Sequence, residues 1–226
     1  MFRPKKKINV REDEDLDEDD VEDDDYDEGM AMMPSNKESR TIGLFGPVEE
    51  EKAAQLIGIM LELASDPDAI VEIEAPEGAP EDRVREAKIL PIEFLISTPG
   101  GSADDMFAIY DIMRVVKDQC DIVTFGLGKV MSAGVLLLAA GTKGQRKIGK
   151  SCRVMIHSVV GGTSGSFHNL ENEISEMRFM QNSYLKALSD ESKMSVPQLK
   201  KMIGKKVNVY LSAEQAVKLG IADIII

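Results

Sequence analysis

Residues 91–126 read PIEFLISTPGGSADDMFAIYDIMRVVKDQCDIVTFG. Ile92–Ser97 is dominated by β-branched, aromatic and aliphatic residues, the composition of a strand. Thr98-Pro99-Gly100-Gly101-Ser102 ends it, since Pro and paired Gly punctuate regular structure. From Ala103 to Val116 the apolar residues Met106, Ile109, Ile112, Met113 and Val116 recur at helical spacing. Asp121–Gly126 then returns as a second strand. Strand, tight turn, helix and strand in succession make a βαβ unit, which implies parallel pairing and a right-handed crossover.

The same alternation extends outward. Downstream, Ser132–Ala140 reads as a strongly apolar, buried helix and Arg153–His157 as a third strand. Leu170–Ser189 is a long helix, Val196–Ile203 a shorter one and Ala213–Leu219 another, while Ala222–Ile226 is placed to close the sheet. Upstream, Thr41–Phe45 is a short strand broken by Gly46-Pro47, and Glu49–Ala64 is an amphipathic helix with Ala54, Ile57, Met60 and Leu61 expected inward. Ile70–Ala75 alternates like a half-exposed strand, Pro76–Pro80 interrupts it, and Arg83–Ile89 returns as a second strand or a helical turn. The region 66–90 is thus expected to project. No internal repeat is present. The expected fold is α/β, with one domain over residues 39–226.

Composition narrows the class. The chain has 226 residues, 43% hydrophobic, with aromatics at 5% and no Trp, so its core rests on aliphatic residues and some of its 13 Met. Residues 1–30 hold five basic and fourteen acidic residues, which is −9 of the net −13. Residues 1–38 are expected to be disordered, because the stretch from Glu12 to Glu28 has too little apolar surface to offset ordering entropy. Such a tail is either a solvated appendage or a charged arm that guards a pore or meets a basic partner. Nucleic-acid binding needs a basic face, and the Lys5-Lys6-Lys7 run beside so many carboxylates does not supply one. Cys120 and Cys152 make neither a disulfide framework nor a zinc motif. No stretch resembles a signal peptide or is apolar for long enough to span a bilayer, so a cytoplasmic location is expected.

Three segments carry possible chemistry. In Gly128-Lys129-Val130-Met131-Ser132-Ala133-Gly134 a serine opens an apolar helix, where backbone N–H groups can stabilise negative charge. An isolated serine there is commonly just an N-cap, and Val130 excludes a Gly-x-Ser-x-Gly elbow. In Arg153-Val154-Met155-Ile156-His157-Ser158 a histidine ends an apolar strand, on the side where α/β folds bind ligands. It is a ready general base for a serine, although a lone strand-end His is often structural. His168, the other histidine, reads as part of a polar loop and is expected at the surface. In Ser97–Ser102, two glycines let backbone approach a ligand, or simply make a tight turn.

Together these segments resemble the proteolytic subunit of the Clp protease. The likeness runs in order from about Leu44 to the C-terminus. It includes Phe45-Gly46-Pro47-Val48, Ser97-Thr98-Pro99-Gly100-Gly101-Ser102 and Ala108-Ile109-Tyr110-Asp111. It continues through Met131-Ser132-Ala133-Gly134, Leu138-Ala139-Ala140-Gly141, Val154-Met155-Ile156-His157 and Ser212-Ala213-Glu214-Gln215-Ala216. The resemblance implies a crotonase-like subunit with a stacked, parallel-rich sheet and a projecting handle region over 158–189. It implies stacked homo-oligomeric rings, heptameric in the family, that degrade polypeptides delivered by an AAA+ unfoldase. The subunit itself needs no cofactor, and ATP is used by the unfoldase. Ser132 falls at the nucleophile, His157 at the base, and Gly100 and Ala133 at the oxyanion donors.

Departures from the family pattern set alternatives. Asn208 stands where the family has the acidic third member, and Val207 where it has an arginine that ties rings together. An Asn oxygen can orient an imidazole but cannot supply negative charge, and in trypsin-like enzymes the Asp-to-Asn change costs about 10⁴ in rate. Asp190 is a conceivable substitute acid. Residues 66–90 exceed the family's usual connection, and the acidic tail is unlike its short apolar axial loop. The chain is therefore expected to be an active or attenuated serine peptidase. The alternatives are an inactive scaffold subunit, a dedicated processing peptidase such as one maturing a viral shell, or an acyl-CoA enzyme of the crotonase type.

Overall fold

The computed structural model describes residues 39–73, 86–205 and 207–226. The expected disordered tail and the tip of the 66–90 excursion lie outside them. Among the described residues, eight strands form one mixed sheet: β1 (Thr41–Phe45), β2 (Ile70–Ile73), β3 (Glu86–Thr98), β4 (Cys120–Met131), β5 (Lys147–Ile148), β6 (Arg153–Ile156), β7 (Val209–Leu211) and β8 (Ile224–Ile225). The described residues also form six α-helices: α1 (Glu50–Ala64), α2 (Ala103–Lys117), α3 (Ala133–Ala139), α4 (Phe167–Glu191), α5 (Val196–Ile203) and α6 (Ala213–Lys218). None of the described helices is long and apolar enough to cross a membrane.

The main path of the sheet is β1-β3-β4-β5-β8, parallel throughout. The sheet branches at β4. Phe125 and Gly126 pair with β5, whereas Lys129–Met131 pair with β6. Between these two stretches lies Gly128, with φ 60, and the β3–β4 register shifts between Ile96 and Thr98. A residue in left-handed conformation bends the strand there, and glycine adopts it without a Cβ clash. The bend sends the second half of β4 toward β6 and ends it at Ser132. β7 closes this arm, antiparallel to β6.

The long β3 absorbs both halves of what reads in sequence as separate pieces. Its first part pairs antiparallel with β2, Ile70 against Ile89 and Ile73 against Glu86. The strand alternative for Arg83–Ile89 thus holds from Glu86 onward. Pro91 is accommodated where the β3–β4 ladder is irregular, between Ile89 and Ile92, so its missing N–H interrupts no regular pair.

Helix α2 is as its spacing predicts, with Met106, Ile109, Met113 and Val116 buried and Ile112 packed against the core. Helix α1 is rotated from the expected face. Ala53, Leu56, Met60, Leu63 and Ala64 are buried, while Ala54 and Leu61 are exposed. Both stripes are apolar in this sequence, and the contact with β1 and α2 selects the one at Ala53-Leu56-Met60-Leu63. All seven residues of α3 are buried, which matches its apolar composition. Helix α4 divides along its length. Its first part is largely exposed, including Phe167, Ile174 and Phe179, and its last two turns bury Tyr184, Leu185, Ala187, Leu188 and Glu191. The C-terminal residues close the sheet as expected, through Ile224 and Ile225 on β5.

Candidate active site

The site forms where β4 and β6 end side by side. The register Met131↔Met155 places Ser132 and His157 just beyond the ends of these two parallel neighbours. The Ser132 N–H donates to the Met155 carbonyl at 2.8 Å, which continues the ladder past the last paired residues. On the other side of β6, Ile156 pairs with Val209. Extending that antiparallel ladder by one residue sets Asn208 opposite His157. The three sequence candidates therefore occupy consecutive positions across β4, β6 and β7.

Ser132 is the one described non-glycine residue with positive φ, at φ 52 and ψ −117. For an L-residue this conformation costs on the order of 1–3 kcal/mol. Its side chain makes no cap hydrogen bond to α3, so the N-cap explanation for this serine does not apply. The hydroxyl instead faces a cleft of about 310 Å³, whose walls also include His157, Pro99, Gly101, Met106 and Tyr184. Among the described residues, Ser132 Oγ forms no hydrogen bond to His157, and the His157 ring forms none to Asn208. Asn208 is exposed and does not line the cleft. Asp190 is exposed on α4 and pairs with Lys186 at 3.2 Å, away from the cleft walls. His168 lies on the surface beside Glu171, at 3.6 Å.

The turn after β3 presses against the serine. Thr98 is fully buried, and its Oγ1 accepts from the Gly100 N–H at 3.0 Å. The Val48 N–H donates to the Gly100 carbonyl, and the Ser102 N–H donates to the Val48 carbonyl, both at 2.9 Å. A Cβ on Gly100 would lie 2.6 Å from Ser132 Cβ, and one on Gly101 would overlap the Val48 backbone. Both glycines are thus required by close approach.

The two glycines differ in their access to the cleft. The Gly100 N–H is buried and committed to Thr98, so it cannot reach a ligand in the cleft. Gly101 is exposed, lines the cleft, and its N–H has no acceptor among the described residues. Of the two glycines, Gly101 and not Gly100, the residue read in sequence as an oxyanion donor, is among the cleft walls. The Ala133 N–H, at the first position of α3, likewise has no acceptor among the described residues.

Sequence reasoning passed over two residues here. Thr98 bonds the residue two positions on, a local habit of Ser and Thr that the Thr-Pro-Gly-Gly spelling could have signalled. Tyr184 reaches across from α4, and its hydroxyl donates to the Ser132 carbonyl at 3.1 Å. Burial pushes its phenol well above the ordinary tyrosine range, so it stays a neutral donor. Its only sequence signal is an aromatic at the head of the apolar Tyr184-Leu185-x-x-Leu188 stripe.

Beyond the cleft, the described residues hold a buried polar knot. Arg146 is 3% exposed, and its Nε and Nη2 donate to the two Asp223 carboxylate oxygens at 2.8 and 2.6 Å. Its Nη1 donates to the Ala139 and Glu191 carbonyls at 3.0 and 2.7 Å. The Arg146 hydrogen bonds hold the Asp223 carboxyl below its usual range. Glu191 is pushed up by burial, but Lys143 at 2.8 Å and Lys117 at 3.6 Å outweigh this and leave it below normal. Burial raises the Cys152 thiol to about 11, which makes it an inert packing group.

The family model described as Clp protease matches residues 84–226. The ATP-dependent Clp protease proteolytic subunit 3 of Synechococcus sp. (strain CC9605) is 39% identical over 137 residues, 60% of this chain and 66% of that protein. The ATP-dependent Clp protease proteolytic subunit 1 of Tropheryma whipplei (strain Twist) is 33% identical over 169 residues, 74% of this chain and 76% of its own length. Subunit 2 of Corynebacterium jeikeium (strain K411) is 33% identical over 174 residues, 76% of this chain and 78% of that protein. The match takes in the turn after β3, the serine at the end of β4 and the histidine at the end of β6, and this chain belongs to the Clp protease family.

Proposed function

We propose that the chain is a serine endopeptidase subunit of a chambered protease. The observation that carries this reading is Ser132 itself: a serine held at positive φ, uncapped, facing a cleft that His157 shares. In this reading His157 takes the Ser132 hydroxyl proton as Oγ attacks the peptide carbonyl carbon. The carbonyl oxygen becomes an oxyanion between the Gly101 and Ala133 N–H groups. The C–N bond then breaks, the amine leaves with the proton from His157, and an acyl-Ser132 ester remains. Water, deprotonated by the same histidine, hydrolyses the ester and restores both groups. Met106, Val159 and Val160 in the cleft wall favour apolar side chains next to the scissile bond. Membership of the Clp protease family supports polypeptide delivery by an ATP-driven AAA+ unfoldase and stacking into homo-oligomeric rings. The exposed Phe167, Ile174 and Phe179 on α4 are apolar surface suited to ring–ring contact.

The test is active-site labelling of the assembled protein. A fluorophosphonate is expected to label the wild type at Ser132, with labelling lost in Ser132→Ala and strongly reduced in His157→Ala. Wild type that assembles but takes no label would overturn the peptidase reading. It would favour a second one, an inactive scaffold subunit paired with an active paralogue. The exposed Asn208, with no bond to His157, is the observation behind that second reading.

A further inference from the structure

We propose that Tyr184 is a positioning residue that aims the Ala133 N–H into the cleft. This rests on the reading of Ser132 as nucleophile and Ala133 as oxyanion donor, and adds a residue that neither role includes. The Ser132 carbonyl and the Ala133 N–H belong to one peptide unit. That unit is planar and trans, so the direction of its C=O fixes the opposite direction of its N–H. The Ser132 carbonyl is gripped from two sides: the Tyr184 hydroxyl donates to it at 3.1 Å and the Val135 N–H at 3.0 Å.

The second of these grips lies within the turn that Ser132 itself opens. It is the single backbone bond of a first helical turn, and α3 is only seven residues long. The residue before the plane is also strained. Ser132 sits at φ 52 and ψ −117, and relaxation of ψ would rotate this same peptide and swing the Ala133 N–H away from the cleft. A donor outside the strained turn therefore has to hold it. Tyr184 is 7% exposed, so it is held by packing. It comes from the packed end of α4, an element that contributes none of the proposed reacting groups. Its ring is also a cleft wall, and the experiment must separate the two roles.

Tyr184→Phe keeps the ring and removes only the hydroxyl. With a fluorogenic peptide the expected result is a fall of about ten-fold in kcat with KM within two-fold, since donor alignment matters only once the oxyanion forms. Affinity for a peptide boronate, whose adduct on Ser132 places an oxygen in the same hole, should fall in parallel. Affinity for the amine-side product peptide, which carries no newly formed carboxylate to enter that hole, should not change. Unchanged kcat and boronate affinity in Tyr184→Phe would overturn the proposal while leaving Ser132 as nucleophile. So would a matched loss for boronate, product and KM, which marks a mere cleft wall. A wild type that neither turns over the peptide nor binds the boronate would overturn both this proposal and the peptidase reading.

Discussion

At the residue scale, the strain on Ser132 can be measured apart from its chemistry. Ser132→Ala keeps a Cβ at φ 52, whereas Ser132→Gly removes it. Both lose the nucleophile, yet the glycine variant should be the more stable of the two by roughly 1 kcal/mol, because the conformation it occupies is ordinary only for glycine. Urea unfolding of the two variants at one protein concentration checks this, and equal stability would mean the turn relaxes on substitution. Asn208 supplies a second residue-scale expectation. The β6–β7 ladder sets it opposite His157, so Asn208→Asp places a negative charge beside the base. Peptidase activity should rise by at least ten-fold, with the low-pH limb of kcat/KM moving upward as the carboxylate stabilises the imidazolium. An unchanged rate would show that His157 is oriented by another group. Ser132 and His157 were legible as a pair because each sits within a short motif of fixed local geometry. Thr98 and Tyr184 were not, since their roles depend on contacts made only once the turn after β3 and the end of α4 meet Ser132.

At the element scale, the helices show how far periodicity reaches. Helix α2 has one apolar stripe and was read correctly, whereas α1 has two, and only the neighbouring β1 and α2 decide between them. Strands β5 and β7 have two and three residues, too few for any pattern, and exist because β4 and β6 offer them edges. Short helices near the C-terminus depend on their ends. Helix α5 opens with a capping box, in which the Ser195 hydroxyl accepts from the Gln198 N–H and the Gln198 side chain accepts from the Ser195 N–H. With only eight residues, α5 gains little from propagation, so its first turn matters. Ser195→Ala should lower stability by about 1 kcal/mol with little change in acylation of Ser132, as read by thermal unfolding and fluorophosphonate labelling.

At the scale of the whole molecule, the Arg146 knot joins the end of α3, the end of α4 and the turn before β8. The fold as an alternation of strands and helices was legible in sequence. This knot was not, because Arg146, Glu191 and Asp223 are far apart along the chain and each resembles a surface residue. Arg146→Met should cost roughly 3 kcal/mol, since it strips the guanidinium from Asp223, which keeps only the Gly144 and Arg146 backbone N–H donors, and leaves the Ala139 carbonyl without its Arg146 donor. The knot also sets an acid limit. Asp223 and Glu191 are both held below their ordinary values in the fold, so the unfolded chain binds their protons more readily. Their contribution is fully present above the unfolded values, about 3.9 and 4.3, and is lost as pH falls from there through the lower folded values. The wild-type unfolding midpoint should drop steeply below about pH 4, and Asp223→Asn should start lower and fall less steeply.

The three strands that end at the site are not equally anchored. β4 has partners in β3, β5 and β6, β6 lies between β4 and β7, and among the described residues β7 pairs with β6 alone. Amide exchange should therefore be slowest before Ser132, intermediate before His157 and fastest beside Asn208. The molecule has a nucleophile fixed in its best-tethered framework and a third position at a fraying margin. Fluctuation at that margin would reset the partner of His157 long before it disturbed the turn that holds Ser132.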